Sequence, residues 1–306
     1  MDKFTPFIIN RKKHRKGFAL LLTLSILSMI VALSGVLVNY IAIVNKNTLQ
    51  TKALIQSDIL YNDIQKALKT IASQKQELYK TLYTTPLPFV LEDGRFSVLL
   101  KCSPLANGVN INWLAYEENQ SFKKHMGIIN KTFAYISQTY EIQNTDKLKN
   151  MILEYMQQLS SDYNNNTNIK EILSKGEFEQ IIFRYMIEES DNSVINVPWE
   201  KYFVFNHIDK NINNNIIDAN YMSKELISAI FDIDMASLQE DWSEGSGDLK
   251  QLLSNYGITL NSKIYYTKFY AHSRCEVYYD YMNERFKFNF DDIDNEVKNF
   301  EFYGKQ

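Results

Sequence analysis

The sequence predicts an α+β protein on a membrane anchor: one long N-terminal helix packed on an antiparallel sheet, with an all-helical insert between the strands. Three observations carry this reading. Residues 18–44 are 27 consecutive positions without a charged side chain, directly after a basic leader. Residues 46–85 then keep apolar side chains at helical spacing. Beyond them, strand-like segments within 86–120 and 256–306 bracket a helical pattern at 121–255.

The composition sets the outer bounds. With 45% apolar and 13% aromatic residues among 306, and only 10 Gly and 5 Pro, the chain has the make-up of a folded protein and not of a collagen-like or Pro-rich spacer. Two cysteines cannot build a disulfide-dense scaffold or a four-cysteine zinc site. A net charge of -3 lacks the basic excess of a general nucleic-acid binder, so no directly bound nucleic acid is expected.

The leader, residues 1–17, carries six basic side chains against Asp2, a net +5, and leaves -8 on the rest. That asymmetry predicts a cytoplasmic N-terminus and a head across the membrane. As a helix the uncharged run is roughly 40 Å long, enough to cross a ~30 Å hydrocarbon core with some tilt. A cleaved secretory signal has an apolar region of about 7–15 residues followed by small residues, shorter than this one. An uncleaved signal anchor stays open as an alternative. We take 18–45 as the transmembrane segment.

Leu60, Ile64, Leu68, Ile71, Leu78 and Leu82 then follow spacings of four, four, three, seven and four, with Lys, Gln, Asp and Glu between them. Pro86 and Pro88 stop the helix, so one helix is expected over about 18–83. Its second half, 46–85, is expected to pack one face on the head. The spacings drift too much for a sustained coiled-coil stalk.

In the head, Phe89–Leu91 and Arg95–Cys102 are strand-like around an Asp93-Gly94 turn. Helical patterns follow at Phe122–Tyr140, Lys147–Leu159, Ile169–Ile187, Lys224–Ile230 and Leu249–Tyr256, broken by Asn-rich loops at Asn164–Asn168 and Asn211–Asn215. From Lys263 to Phe290, aromatic and polar residues alternate across an expected Asn283-Glu284 turn, the pattern of an antiparallel ribbon.

Catalytic chemistry finds no purchase. His14, His125, His207 and His272 lie in no HExxH or His/Cys cluster, and there is no GxSxG or phosphate loop. Gly245–Asp248 reads as a turn. The expectation is a non-enzyme without a cofactor.

The junction Lys16-Gly17-Phe18, a basic leader ending in Gly before a long apolar helix, resembles the leader of type IV pilins and of type II secretion pseudopilins. The resemblance implies a cut between Gly17 and Phe18 by a prepilin peptidase, with N-methylation of Phe18. That family normally has Glu at the fifth mature position, where this chain has Leu22. An apolar residue there is the habit of the GspK-type minor pseudopilin. A helical domain inserted in a pilin-like head is also its mark, and Gly108–Leu114 (GVNINWL) and Ile217–Asp234 resemble two of its internal segments, with Asp218 in place of an Asn.

The resemblance implies a pilin-like α+β head from 86–120 and 256–306, with 121–255 as the inserted helical domain. It implies a minor pseudopilin that initiates or caps a periplasmic pseudopilus, anchored in the inner membrane with its head in the periplasm. Its partners would be other minor pseudopilins, the prepilin peptidase and the inner-membrane assembly platform. A minor pilin of a type IV pilus or DNA-uptake system is the near alternative, and a signal-anchored periplasmic protein the distant one. Calcium sites occur in the family, and Asp232, Asp234, Glu240, Asp241, Glu244 and Asp248 gather hard oxygen ligands in a short stretch. An acidic run is otherwise a solvated face. Cys102 and Cys275 fall on strands that pilin-like heads bring into one sheet, where an oxidising periplasm would favour a bridge; two separate apolar thiols are the other reading.

Overall fold

Apolar spacing along the first helix decides what the rest of the chain can build. The computed structural model describes residues 13–70, 75–90, 97–157, 169–209, 211–245, 248–270, 272–293 and 296–305. Helix α1 runs Lys13–Thr70 and α2 runs Lys75–Thr84, so the helix expected over 18–83 is described in two pieces, with Ile71 outside the described residues. Leu60, Leu68 and Leu82 are buried and Ile64 and Leu78 half-buried, as their spacing requires. Ala53, Ser57 and Tyr79 complete the buried face. The helix stops at Thr84 ahead of Pro86, which lacks an N–H to donate.

These helices cover a five-stranded antiparallel sheet of order β1-β2-β7-β8-β9. Its strands are β1 (Leu87–Val90), β2 (Ser97–Pro104), β7 (Ser273–Tyr281), β8 (Glu284–Ile293) and β9 (Glu296–Lys305). Strand β1 begins two residues earlier than the pattern suggested, and the Asp93-Gly94 turn lies outside the described residues. Alternation on β7 buries Cys275, Val277 and Tyr279 opposite Phe290, Phe288 and Phe286 of β8. The turn between them is Met282-Asn283, one residue before the expected pair; both have positive φ (50° and 63°), the mirror-image turn that matches strand twist. Strand β9 was not anticipated. Two register irregularities against β8 break the alternation that would have marked it.

Between β2 and β7 the chain builds a separate helical body with its own buried cluster, from Val109 to Tyr265 and so wider at both ends than 121–255. Its helices are α3 (Lys123–Tyr140), α4 (Thr145–Gln157), α5 (Lys175–Glu189), α6 (Lys224–Phe231), α7 (Met235–Asp241) and α8 (Leu249–Asn255). The helix expected from Ile169 starts at Lys175. Ser174 caps it by accepting from the Glu177 N–H at 3.2 Å, while Ile172 is held extended by the Asn112 amide (2.8 and 2.9 Å). The Asn164–Asn168 loop lies outside the described residues.

A short motif occurs twice in this body. Val109-Asn110-Ile111-Asn112-Trp113 and Ile217-Asp218-Ala219-Asn220-Tyr221 each form a two-residue strand, β3 (Val109–Asn110) and β5 (Ile217–Asp218), followed by a 3₁₀ turn. Each pairs in parallel with a later pair of residues, β4 (Phe203–Val204) and β6 (Tyr265–Tyr266). The Val109 N–H donates to Tyr202 O (2.9 Å) and the Ile217 N–H to Ile264 O (2.7 Å), the same register in both copies. Gly108 precedes the first copy because a Cβ there would sit 3.0–3.2 Å from Val204, Tyr202 and Phe203.

Candidate functional site

The apolar half of α1 is the first candidate. Residues such as Phe18 (70% exposed), Leu27 and Leu37 stand free of the head, and none of the apolar window is covered by protein. This is one helix of a length and composition able to cross a membrane. Three of its hydroxyls bond within the helix: Thr23, Ser28 and Ser34 donate to the carbonyls of Leu20, Leu24 and Ile30 at 2.8–2.9 Å. Such back-bonding removes the cost of a bare hydroxyl in lipid. Gly17 lies inside α1, and Leu22 is one turn beyond Phe18 on the same face, itself 49% exposed. Leader residues 1–12 lie outside the described residues.

After Val44 the helix changes character. Tyr61 donates to Val297 O (3.1 Å) and its ring meets Phe300 at 5.0 Å, tying α1 to β9. Tyr279 of β7 donates to Ala53 O at 2.5 Å. Tyr79 of α2 donates to buried Asp292 on β8, and burial together with that carboxylate holds its phenol far above its usual range. Tyr61 and Tyr279 thereby tie α1 to the sheet, and Tyr79 ties α2 to it.

Cys102 and Cys275 form a disulfide between directly opposed positions of β2 and β7, both essentially buried. The two residues are 173 apart in sequence and enclose the whole helical body. The bridge staples the two chain ends from which that body grows.

The acidic stretch does other work. All six carboxylates are exposed, and among the described residues no three His, Cys, Asp or Glu side chains converge on a point. Asp232, in the left-handed conformation that ends α6, pairs with Lys131 at 3.3 Å. Asp234 and Asp248 cap α7 and α8 through backbone N–H groups. Asp241 accepts from the Tyr256 hydroxyl, and Glu244 pairs with Lys201. Glu240 projects from α7 into solvent.

His125 and His207 are likewise held by neighbours within the fold. His125 is buried against Trp113, with Nε2 2.8 Å from Asn215 O, and burial lowers its pKa. His207 sits 2.6 Å from Glu171 at the surface. A cleft of about 780 Å³ separates the helical body from the sheet, but the guanidinium on its wall, Arg274, is committed to Asp291 through Nε and Nη2 at 2.8 and 3.1 Å.

No protein-family model matches the chain, and no curated protein sequence matches it. Its fold does match a solved one. A chain of the GspK–GspI–GspJ complex from the type 2 secretion system of enterotoxigenic Escherichia coli superposes with a TM-score of 0.51 at 12% identity, covering 84% of this chain and 98% of that one. The chain has an α+β, pilin-like fold like that found in this complex.

Proposed function

We propose that the chain is a minor pseudopilin, a structural subunit that initiates or caps a short periplasmic filament of a type II secretion or related system. The observation that carries this reading is the joining of two unlike halves in one helix. Residues 18–44 are apolar and unburied, while residues 53–68 are docked by Ala53, Leu60, Tyr61 and Leu68 onto a sheet that bears a helical insert. A helix of this kind is held in the inner membrane before assembly and packs against neighbouring helices afterwards.

The basic leader keeps the N-terminus cytoplasmic and puts the head in the periplasm. A prepilin peptidase would cut at Gly17–Phe18, and the assembly platform and other minor pseudopilins would be the partners. The proteins of the matched complex assemble with one another, which supports partners of that kind for this chain.

Leu22 argues for the tip. A Glu at this depth costs several kcal/mol unless a neighbour's amine meets it, and a subunit with nothing above it has no such neighbour. The test is incorporation of Leu22→Glu. A tip subunit gains nothing from it, and the copy number per filament stays at about one. Incorporation of Leu22→Glu along the filament at many copies would assign the chain to the body of the filament.

A further inference from the structure

The duplicated motif in the helical body carries one substitution with a chemical consequence. In the first copy, Asn110 uses both ends of its amide. Oδ1 accepts from the Asn112 N–H at 3.1 Å, and Nδ2 donates to Asn206 O at 2.9 Å. In the second copy the same place is held by Asp218, paired to Tyr266 as Asn110 is paired to Val204. Its Oδ1 repeats the cap, accepting from the Asn220 N–H at 3.2 Å. Its Oδ2 sits where the amide donor of the other copy would be, fully buried and without a hydrogen-bond partner. An ionised carboxylate has no donor, whereas a protonated one has one.

Asp218 lies on the seam between the helical body and the head. Its own N–H donates to Ala106 O (2.7 Å), on the connection leaving β2. Tyr221, three residues on, meets Tyr83 of α2 edge-to-face at 4.9 Å, and the Tyr83 hydroxyl bonds Ser273 of β7. The ionisable groups around Asp218 are Tyr83 from α2, Tyr221 from its own turn and Tyr266 from β6. Through Tyr83 the cluster extends to Tyr79 of α2 and Asp292 of β8, and Glu77 of α2 acts on Tyr221. None of these is cationic. Asp292 and Asp218 both raise the Tyr83 pKa, so a charge on Asp218 adds to one sign only.

We propose that Asp218 carries a proton in the folded head, and that its ionisation is a pH-sensitive release acting on the seam between the helical insert and the sheet. Burial raises its pKa to about 7, with the Asn220 amide pulling the other way. The folded state therefore binds a proton that the unfolded chain has already lost above about pH 4. Stability falls as pH rises between those two values, by roughly tenfold in the folding equilibrium constant per unit, and is flat above them. His125, whose pKa is lowered, acts in the opposite sense below about pH 6.5. The comparison is therefore made against a variant that keeps His125.

The experiment uses the full chain in detergent micelles, unfolded by urea across pH 4–8, as wild type, Asp218→Asn and Asn110→Asp. Asp218→Asn supplies both the acceptor and the donor, so it should match or exceed wild type near pH 4. It should pull ahead progressively up to pH 7. Hydrogen exchange of residues 217–221 should show the same divergence at matched pH. Asn110→Asp should acquire a second alkaline loss of the same sign. Parallel pH profiles for wild type and Asp218→Asn would overturn the proposal. So would an Asp218→Asn chain that fails to fold, or an Asn110→Asp chain whose profile keeps the wild-type slope.

Discussion

Cys102 and Cys275 are direct cross-strand partners in β2 and β7, and the loop their disulfide closes contains the whole helical body. Neither strand could separate while the bridge holds, so the base of the insert is fixed even if its far end opens. A bridge across so long a loop chiefly restricts the unfolded chain, and its removal typically costs about 2–4 kcal/mol.

Cys102→Ser/Cys275→Ser should therefore lower the unfolding free energy by about that amount, and dithiothreitol should have the same effect on wild type but none on the variant. Denaturant unfolding with and without reductant measures it. Rapid alkylation of both thiols in the native, unreduced protein would show that the bridge is not formed.

Docking of the helix on the sheet is testable through one hydroxyl. Tyr279→Phe keeps the buried ring but deletes the bond to Ala53 O. It should cost about 1 kcal/mol. Leu82→Ala, which empties a fully buried site under β2, should cost about 2–5 kcal/mol. Ile55→Ala, on the exposed side of α1, should stay within about 0.5 kcal/mol. An equal loss at Ile55 and Leu82 would mean that the docked face is misassigned.

A second buried carboxylate titrates in the ordinary direction. Burial alone would raise the Asp191 pKa, but the Ser193 hydroxyl, the Gln143 and Ser193 N–H groups and the Tyr185 hydroxyl all donate to it and hold it below the usual carboxylate range. A depressed pKa gives stability that is present above about pH 4 and lost as pH falls through the folded value. Asp191→Ala should thus weaken folding at pH 7, and the gap to wild type should close in acid. Urea unfolding at pH 7 and pH 3 gives both numbers, and a gap unchanged between them would contradict the assignment.

Much of this architecture was legible because periodicity survives in single elements. Leu60, Leu68 and Leu82 announced the docked face, and the β7–β8 ribbon announced itself by alternation. What escaped depends on register or on burial. Whether Cys102 meets Cys275 depends on how β2 is aligned against β7, which two lone cysteines cannot specify. Strand β9 was hidden by its bulged pairing and by Asn299 and Gly304 at positive φ. In the acidic run from Asp232 to Asp248 two members, Asp234 and Asp248, are helix caps, and caps and metal ligands draw on the same residue types, so sequence alone does not separate the two roles. Asp218 was marked only as standing in place of an Asn; its burial follows from the packing of the second copy of the motif, which one segment's sequence does not show.

The central claim, that Gly17–Phe18 is a processing junction of a filament subunit, is tested most directly by mass spectrometry of the mature N-terminus from native membranes. The account predicts a chain beginning at N-methylated Phe18, and retention of residues 1–17 both in Gly17→Glu and in cells lacking prepilin peptidase. A wild-type chain beginning at Met1 in cells with an active peptidase would contradict it, leaving a plain membrane anchor carrying a pilin-like fold.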